Sequence, residues 1–276
     1  MQLDIVTSRA LAATFALAAL WALEGAWPMF RGRREHTLHH ARNVGLGVFN
    51  ALVGAGLAAW TLLLVAQLAE QAEFGLLRWV SLPAMVEWVA AFVLFDLWQY
   101  AWHRLNHRVP LLWRFHAVHH SDAEMDASTA VRFHTGELVL SMLARMVVVP
   151  LLGISIEQVA VYELVLLPLI LFHHANIRIP AGVDRALRMV IVTPWMHWVH
   201  HSNQQPETDS NYASVFSVWD RLFGSFRLRG NPSEITLGLD GFTEGEWRPL
   251  WGLLAIPFLH DFSSNTKRKD YPPGPS

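Results

Sequence analysis

The sequence predicts an all-α fold, a polytopic membrane helical bundle that carries a histidine-rich cap on its cytosolic side. Three observations predict it. Of 276 residues, 53% are hydrophobic and only 16% are charged, against about 25% charged in soluble domains. Uncharged apolar runs long enough to cross a bilayer recur along the chain, and the 15 histidines gather where such runs end.

The first run lies between Arg9 and Arg31 and holds one charge, Glu24; the second, between Arg42 and Glu70, holds none. About 20 apolar residues span a bilayer as a helix, so each is expected to be one span. Met1 to Ala10 lacks a basic region ahead of the apolar run, so the first span reads as a retained helix rather than a cleaved leader. A third stretch, Trp79 to Trp102, carries Glu87 and Asp96. The fourth, Leu138 to Phe172, is too long for one untilted span, and Gly153-Ile154-Ser155 divides it into a hairpin of two short helices. His173 to about Leu228 reads as a helical cap, Trp251 to Phe262 as an interfacial segment, and residues 263–276 as a disordered tail. One membrane-embedded domain over residues 1–262 is expected, with its core at about 40–228.

The loop from Arg31 to Arg42 carries four arginines and one glutamate, whereas Glu70 to Arg78 carries two glutamates and one arginine. Basic loops favour the cytoplasm, which places the first loop there and every later histidine motif on the same face. The tryptophans near apparent span ends, among them Trp79, Trp98, Trp102, Trp195 and Trp198, read as interfacial anchors.

Composition also excludes. A formal net charge of −2 without a basic patch argues against nucleic acid. With no cysteine there are no disulfides, thiolate ligands, chain-held iron–sulfur clusters or haem-thiolate centre. Gly54-Ala-Gly56-Leu-Ala-Ala59 fits a dinucleotide fingerprint but lies inside an apolar run, where small residues pack helices. The sequence shows no flavin or nicotinamide fingerprint, so any redox chemistry needs electrons from another protein.

The chemistry sits in three short segments. His103 and His107 are one helical turn apart; His116, His119 and His120 follow at i, i+3 and i+4; His197, His200 and His201 repeat that spacing. One ion takes about four to six ligands, so these imidazoles suit two metal ions. A transition-metal transporter or sensor without redox catalysis is the alternative, but it needs ligands near the bilayer midplane rather than at one face. A membrane cytochrome would pair histidines two at a time, which this clustering does not do. Asp96, Tyr100, His103 and His107 form one helical stripe, making Asp96 a candidate to orient a ligand imidazole.

His103-Arg-Leu-Asn-His107, His116-Ala-Val-His-His120 and His197-Trp-Val-His-His201 resemble the three histidine boxes of the membrane-bound fatty acid hydroxylase and sterol desaturase superfamily. Asp96 to Tyr100, Arg132-Phe-His134, Phe172 to Asn176, Thr193-Pro194, Asn211-Tyr212 and Trp219 to Gly224 are similar to the family pattern as well. The resemblance implies two iron ions, with zinc as the rival on imidazole ligands, and molecular oxygen as co-substrate. It implies a fatty acyl, sterol-like or other isoprenoid lipid as substrate, hydroxylated or desaturated at an unactivated C–H bond. It adds His174 as a ninth ligand, with His173 in the variable position, and His134 as a further candidate, although Thr135-Gly136 departs from the His-Pro of many relatives. His36-Thr-Leu-His-His40 has the same spacing, but the resemblance places no box there. Among Arg31, Arg33, Arg34 and Arg42 it reads as a basic loop facing anionic headgroups.

Overall fold

The computed structural model describes residues 2–31, 36–54, 57–242 and 249–259. Among them are twelve α-helices, two 3-10 turns and three isolated β-bridges, with no strand. The expected tail at 263–276, and Ala55 and Gly56 of the small-residue run, lie outside the described residues.

Helix α1 (Gln2–Ala26) packs on the later helix α7, while α2 (His36–Gly54) and α3 (Leu57–Gln71) both lie along α6. The run between Arg42 and Glu70 thus forms parts of two helices. Helix α4 (Ala84–Arg108) begins after Pro83 and stops at the extended residue Val109. Pro110 dictates both events there, since the residue before proline avoids helical geometry and proline itself suits the first helical position of α5 (Pro110–His120).

The hairpin expected at Gly153 is present as α6 (Thr135–Leu152) and α7 (Ile156–His174). Gly153 ends α6 in the left-handed region, at φ 71°, and Ser155 starts α7 with a reciprocal capping box to Gln158. A Cβ on Gly75 would come within 2.3 Å of the Pro150 carbonyl oxygen, so only glycine lets this loop press on the turn. There Leu76 and Leu77 donate backbone N–H groups to Leu151 and Leu152. Rather than short half-helices, α6 and α7 have 18 and 19 residues, each long and apolar enough to cross a membrane. Leu143, Val147 and Leu151, one turn apart on α6, are all more than half exposed; such a stripe is a liability in water and suits lipid.

The expected helical cap contains only short helices, α8 (Ala181–Leu187), α9 (Pro194–His200), α10 (Gln205–Thr208) and α11 (Val218–Leu222), joined by loops. Prolines at the starts of α8, α9 and α10 and polar turn residues between the helices keep each to two turns or fewer. Helix α12 (Leu250–Leu259) buries Leu253 and Ile256 beside Ala117 and Val118 of α5 and leaves Trp251 and Phe258 exposed. The ends of α4, α5 and α7 meet α9, and there the histidines converge.

Candidate metal centre

Two groups form. His103 and His107 from α4, His116 and His120 from α5 and His200 from α9 place one ring nitrogen each within 4.8 Å of the others. His119, His174, His197 and His201 do the same. All nine histidines singled out from the boxes and from Phe172 to Asn176 are in these two groups. The groups interlock, because His119 and His120 are sequence neighbours yet serve different groups, as do His200 and His201.

Ring orientation follows from what holds the outer nitrogens. His103 donates its Nδ1–H to the Tyr212 carbonyl (2.8 Å), and His200 donates to that of Ser210 (2.6 Å). A carbonyl only accepts, so both rings carry their proton on Nδ1 and a lone pair on Nε2. Those two Nε2 atoms lie 3.0 Å apart. Two lone pairs at that distance repel, and a cation between them turns the contact favourable. His174 repeats the device, giving Nδ1–H to Ile170 (2.6 Å) with its Nε2 2.9 Å from that of His197 and 3.1 Å from that of His119.

Burial, and then the neighbouring imidazoles, hold His119, His120, His197, His200 and His201 well below the ordinary imidazole range. They are neutral at neutral pH and need release no proton to bind a metal. Several buried ring nitrogens, including both of His107, His120 and His201, have no hydrogen-bond partner among the described residues. Metal ions satisfy such atoms, so the residues present fit a pair of ions with nitrogen ligands.

Other expectations are corrected. Asp96 touches no histidine: Oδ1 accepts the Tyr162 hydroxyl (2.7 Å), and Oδ2 accepts the Trp219 indole (2.7 Å) and the Phe216 backbone N–H (3.1 Å). It ties the chain around residue 216 to α4 and α7. His134 belongs to neither group. It caps α6, with Nδ1 accepting from the Gly136 N–H, and its Nε2 meets the Leu254 carbonyl. His173 also stays outside both groups and faces the cavity beneath them.

The carboxylate that does hold an imidazole is one that sequence reasoning missed: Glu137 of α6 lies 2.8 Å from His116 Nδ1. Asp209 lies 3.6 Å from His107 Nδ1. The only signal for Glu137 was an acid in the first turn of an otherwise apolar helix.

In the motif at 36–40, expected to face headgroups, His39 and His40 turn inward. His39 and His40 sit in the first turns of α2 against Asp122, Asp126 and Glu24, with His40 Nδ1 3.1 Å from Asp126 and His39 Nε2 3.3 Å from Asp122. Burial pulls both imidazoles down, but the carboxylates outweigh it and raise them. Arg132 completes the cluster, bonded to Ser121, Asn43 and the Val118 carbonyl. Glu24, the one charge of α1 after Arg9, accepts the backbone N–H groups of Ala127 and Asn176 on its other oxygen. Glu24, His40 and Asp126 also lie within 4.8 Å of one another, but three carboxylates here meet Arg132 and two imidazoles that favour their protons, so the charge balances without a metal.

Beneath the two groups is a cavity of about 190 Å³, roofed by His103, His116, His119, His174 and His197 and walled by α4, α6 and α7.

Fold and site together define a helical protein with apolar, membrane-length helices and clustered histidine boxes at their ends. Residues 88–225, half of the chain, match the fatty acid hydroxylase family, and the chain belongs to that family. It is 30% identical to ornithine lipid hydroxylase OlsE of Rhizobium tropici, over 58% of this chain and 47% of that protein. It is 29% identical to human alkylglycerol monooxygenase, over 50% and 30%, and 27% identical to human cholesterol 25-hydroxylase, over 57% and 62%. The chain thus spans less than half the length of the first two. These relatives are lipid hydroxylases or monooxygenases. No solved structure matches the chain.

Proposed function

We propose that this protein is an oxygen-dependent di-iron membrane enzyme that hydroxylates a C–H bond of a lipid with electrons from an external donor protein. The observation that carries the reading is the pair of imidazole groups, above all the Nε2 atoms of His103 and His200 held 3.0 Å apart with their protons turned outward. One ion would be held by His103, His107, His116, His120 and His200, the other by His119, His174, His197 and His201. Bound iron would supply activation of molecular oxygen. Hydroxylation puts one oxygen atom into the C–H bond and reduces the other to water, which consumes two electrons and two protons. The chain has no cysteine to hold a cluster, so those electrons come from a partner.

The protein's own part is positional. Glu137 and the carbonyls of Tyr212, Ser210 and Ile170 orient the rings. The buried histidines, most under 4% exposed, keep water from the site. The cavity against α6 and α7 presents a segment of lipid from the side of the bilayer. Hydroxylation is preferred to desaturation because the named relatives are hydroxylases and monooxygenases. The remaining long helices are read as further spans of a polytopic bundle, with the histidine end on the cytoplasmic side that basic loops favour.

Elemental analysis of anaerobically purified protein should give two iron ions per chain, and membranes expressing it should incorporate one ¹⁸O atom from labelled oxygen into a lipid when a reductant is supplied. One ion per chain, or ions with no labelled lipid under any donor, would overturn the reading in favour of a metal-binding membrane protein. Reporter fusions placing residues 110 and 205 on opposite faces would overturn the topology.

A further inference from the structure

The cavity beneath the histidines has two unlike walls. Leu166 and Ile170 of α7 make one side apolar, whereas Gln99 of α4 and Ser141 and Arg145 of α6 make the other polar. Polar and charged side chains among membrane-length helices are rare and carry function by default.

These groups form a register below the metal centre. Gln99 precedes His103 by one helical turn, about 6 Å along the axis. Ser141 and Arg145 follow Glu137, which holds His116, by one and two turns, about 6 and 12 Å. Arg145 is a fixed donor. Its Nη1 bonds Glu163 at 2.5 Å, and its guanidinium lies 5.6 Å from the Phe95 ring centre and 5.9 Å from that of Trp98.

Gln99 Oε1 and Arg145 Nε are both buried, and neither has a hydrogen-bond partner among the described residues. One is an acceptor and the other a donor. An unmatched polar atom in such surroundings keeps the full cost of its lost hydration, so a ligand that satisfies both is preferred to one that satisfies neither. Leu138, 39% exposed, lines the same cavity, which therefore opens to the surface of the protein beside the start of α6. At about 190 Å³ the space encloses only a segment of a lipid, since pockets for drug-sized ligands run from roughly 300 Å³ upward.

We propose that the cavity binds a lipid at the junction of its polar part and its chain, and that Gln99 and Arg145 select a hydroxyl or amide group there. A hydroxyl or secondary amide donates to Gln99 Oε1 and accepts from Arg145 Nε; an ether or ester oxygen only accepts, and a plain hydrocarbon does neither. The oxidised carbon then lies a few bonds from that group, not at the far end of the chain. This rests on the lipid hydroxylase reading above.

The test uses the full chain in host membranes, labelled oxygen and matched lipids of equal chain length: one bearing a hydroxyl, one a secondary amide, and one whose hydroxyl is capped as a methyl ether. Mass-spectrometric fragmentation reads where the label lands, and initial rates give KM and kcat. The label is expected within about four bonds of the polar group, with the capped lipid at least tenfold poorer in kcat/KM. Gln99→Leu should raise KM for the hydroxyl and amide lipids and erase the discrimination, with iron content unchanged. Arg145→Lys, which keeps the charge opposite Glu163 and loses the Nε donor, should act in the same direction and serves if Gln99→Leu fails to fold. Label on the distal half of the chain, or discrimination intact in a folded variant, overturns the inference while leaving the hydroxylase reading standing. No labelled product from any lipid overturns both.

Discussion

Two regions of this molecule carry the same HxxHH spacing and put it to opposite uses. At 116–120 and 197–201 the imidazoles face one another, with outward protons held by carbonyls and Glu137, and burial keeps the rings neutral. At 36–40 the same spacing on α2 turns His39 and His40 toward Asp122, Asp126 and Glu24, and the rings hold their protons more tightly than usual. Helical spacing decides which side chains share a face; the neighbours of that face decide whether an imidazole is a ligand or a cation.

The comparison breaks most sharply at the metal. His119→Ala and His200→Ala, one from each group, are expected to remove bound iron and at least a hundredfold of activity, whereas replacing His36, His39 and His40 together with alanine should leave two ions per chain. Metal analysis of folded protein reads both, and loss of an ion in the triple variant would return the 36–40 motif to the ligand set. Glu137→Gln should lower metal affinity or activity by about 10- to 100-fold, the usual effect of removing a group that orients a ligand imidazole. Asp96→Asn, which touches no histidine, should leave affinity unchanged and instead lower thermal stability through the segment around Phe216.

A smaller effect separates the two regions by stability. Asp126 is fully buried and Asp122 nearly so, and leaving a buried charge without its partner costs about 3 to 5 kcal/mol. Paired His39→Ala and His40→Ala changes should therefore shift the unfolding midpoint in mild detergent while iron content at low temperature holds. If the midpoint stays where it is, the cluster is not a structural ion pair network.

The smallest effect is in pH. The folded-state values of His39 and His40 lie above the ordinary imidazole value, so their contribution is fully present below that value and is lost as pH rises through the folded value. Thermal stability should fall as pH is raised above the ordinary imidazole range, and the paired variant should flatten that slope. An unchanged slope would mean the rings are neutral in the folded protein.

The amino-acid sequence by itself determined the features written in local order. The i, i+3 and i+4 spacings singled out eight of the nine histidines of the two groups, with His174 added by the family resemblance, and Gly153 to Ser155 marked the hairpin because a left-handed residue followed by a capping serine is a local requirement. The long-range partners were decided only by the tertiary structure. His116 meets Glu137 from 21 residues away, Asp96 meets Trp219 from 123, and His40 meets Asp126 across a packed helix interface. His134 was misplaced for the same reason: its ring nitrogens are taken by the Gly136 N–H and by a carbonyl on α12, 120 residues away. Periodicity sets the face a side chain occupies, whereas the charge and hydrogen bonds that fix an imidazole's role come from whichever helix packs against that face.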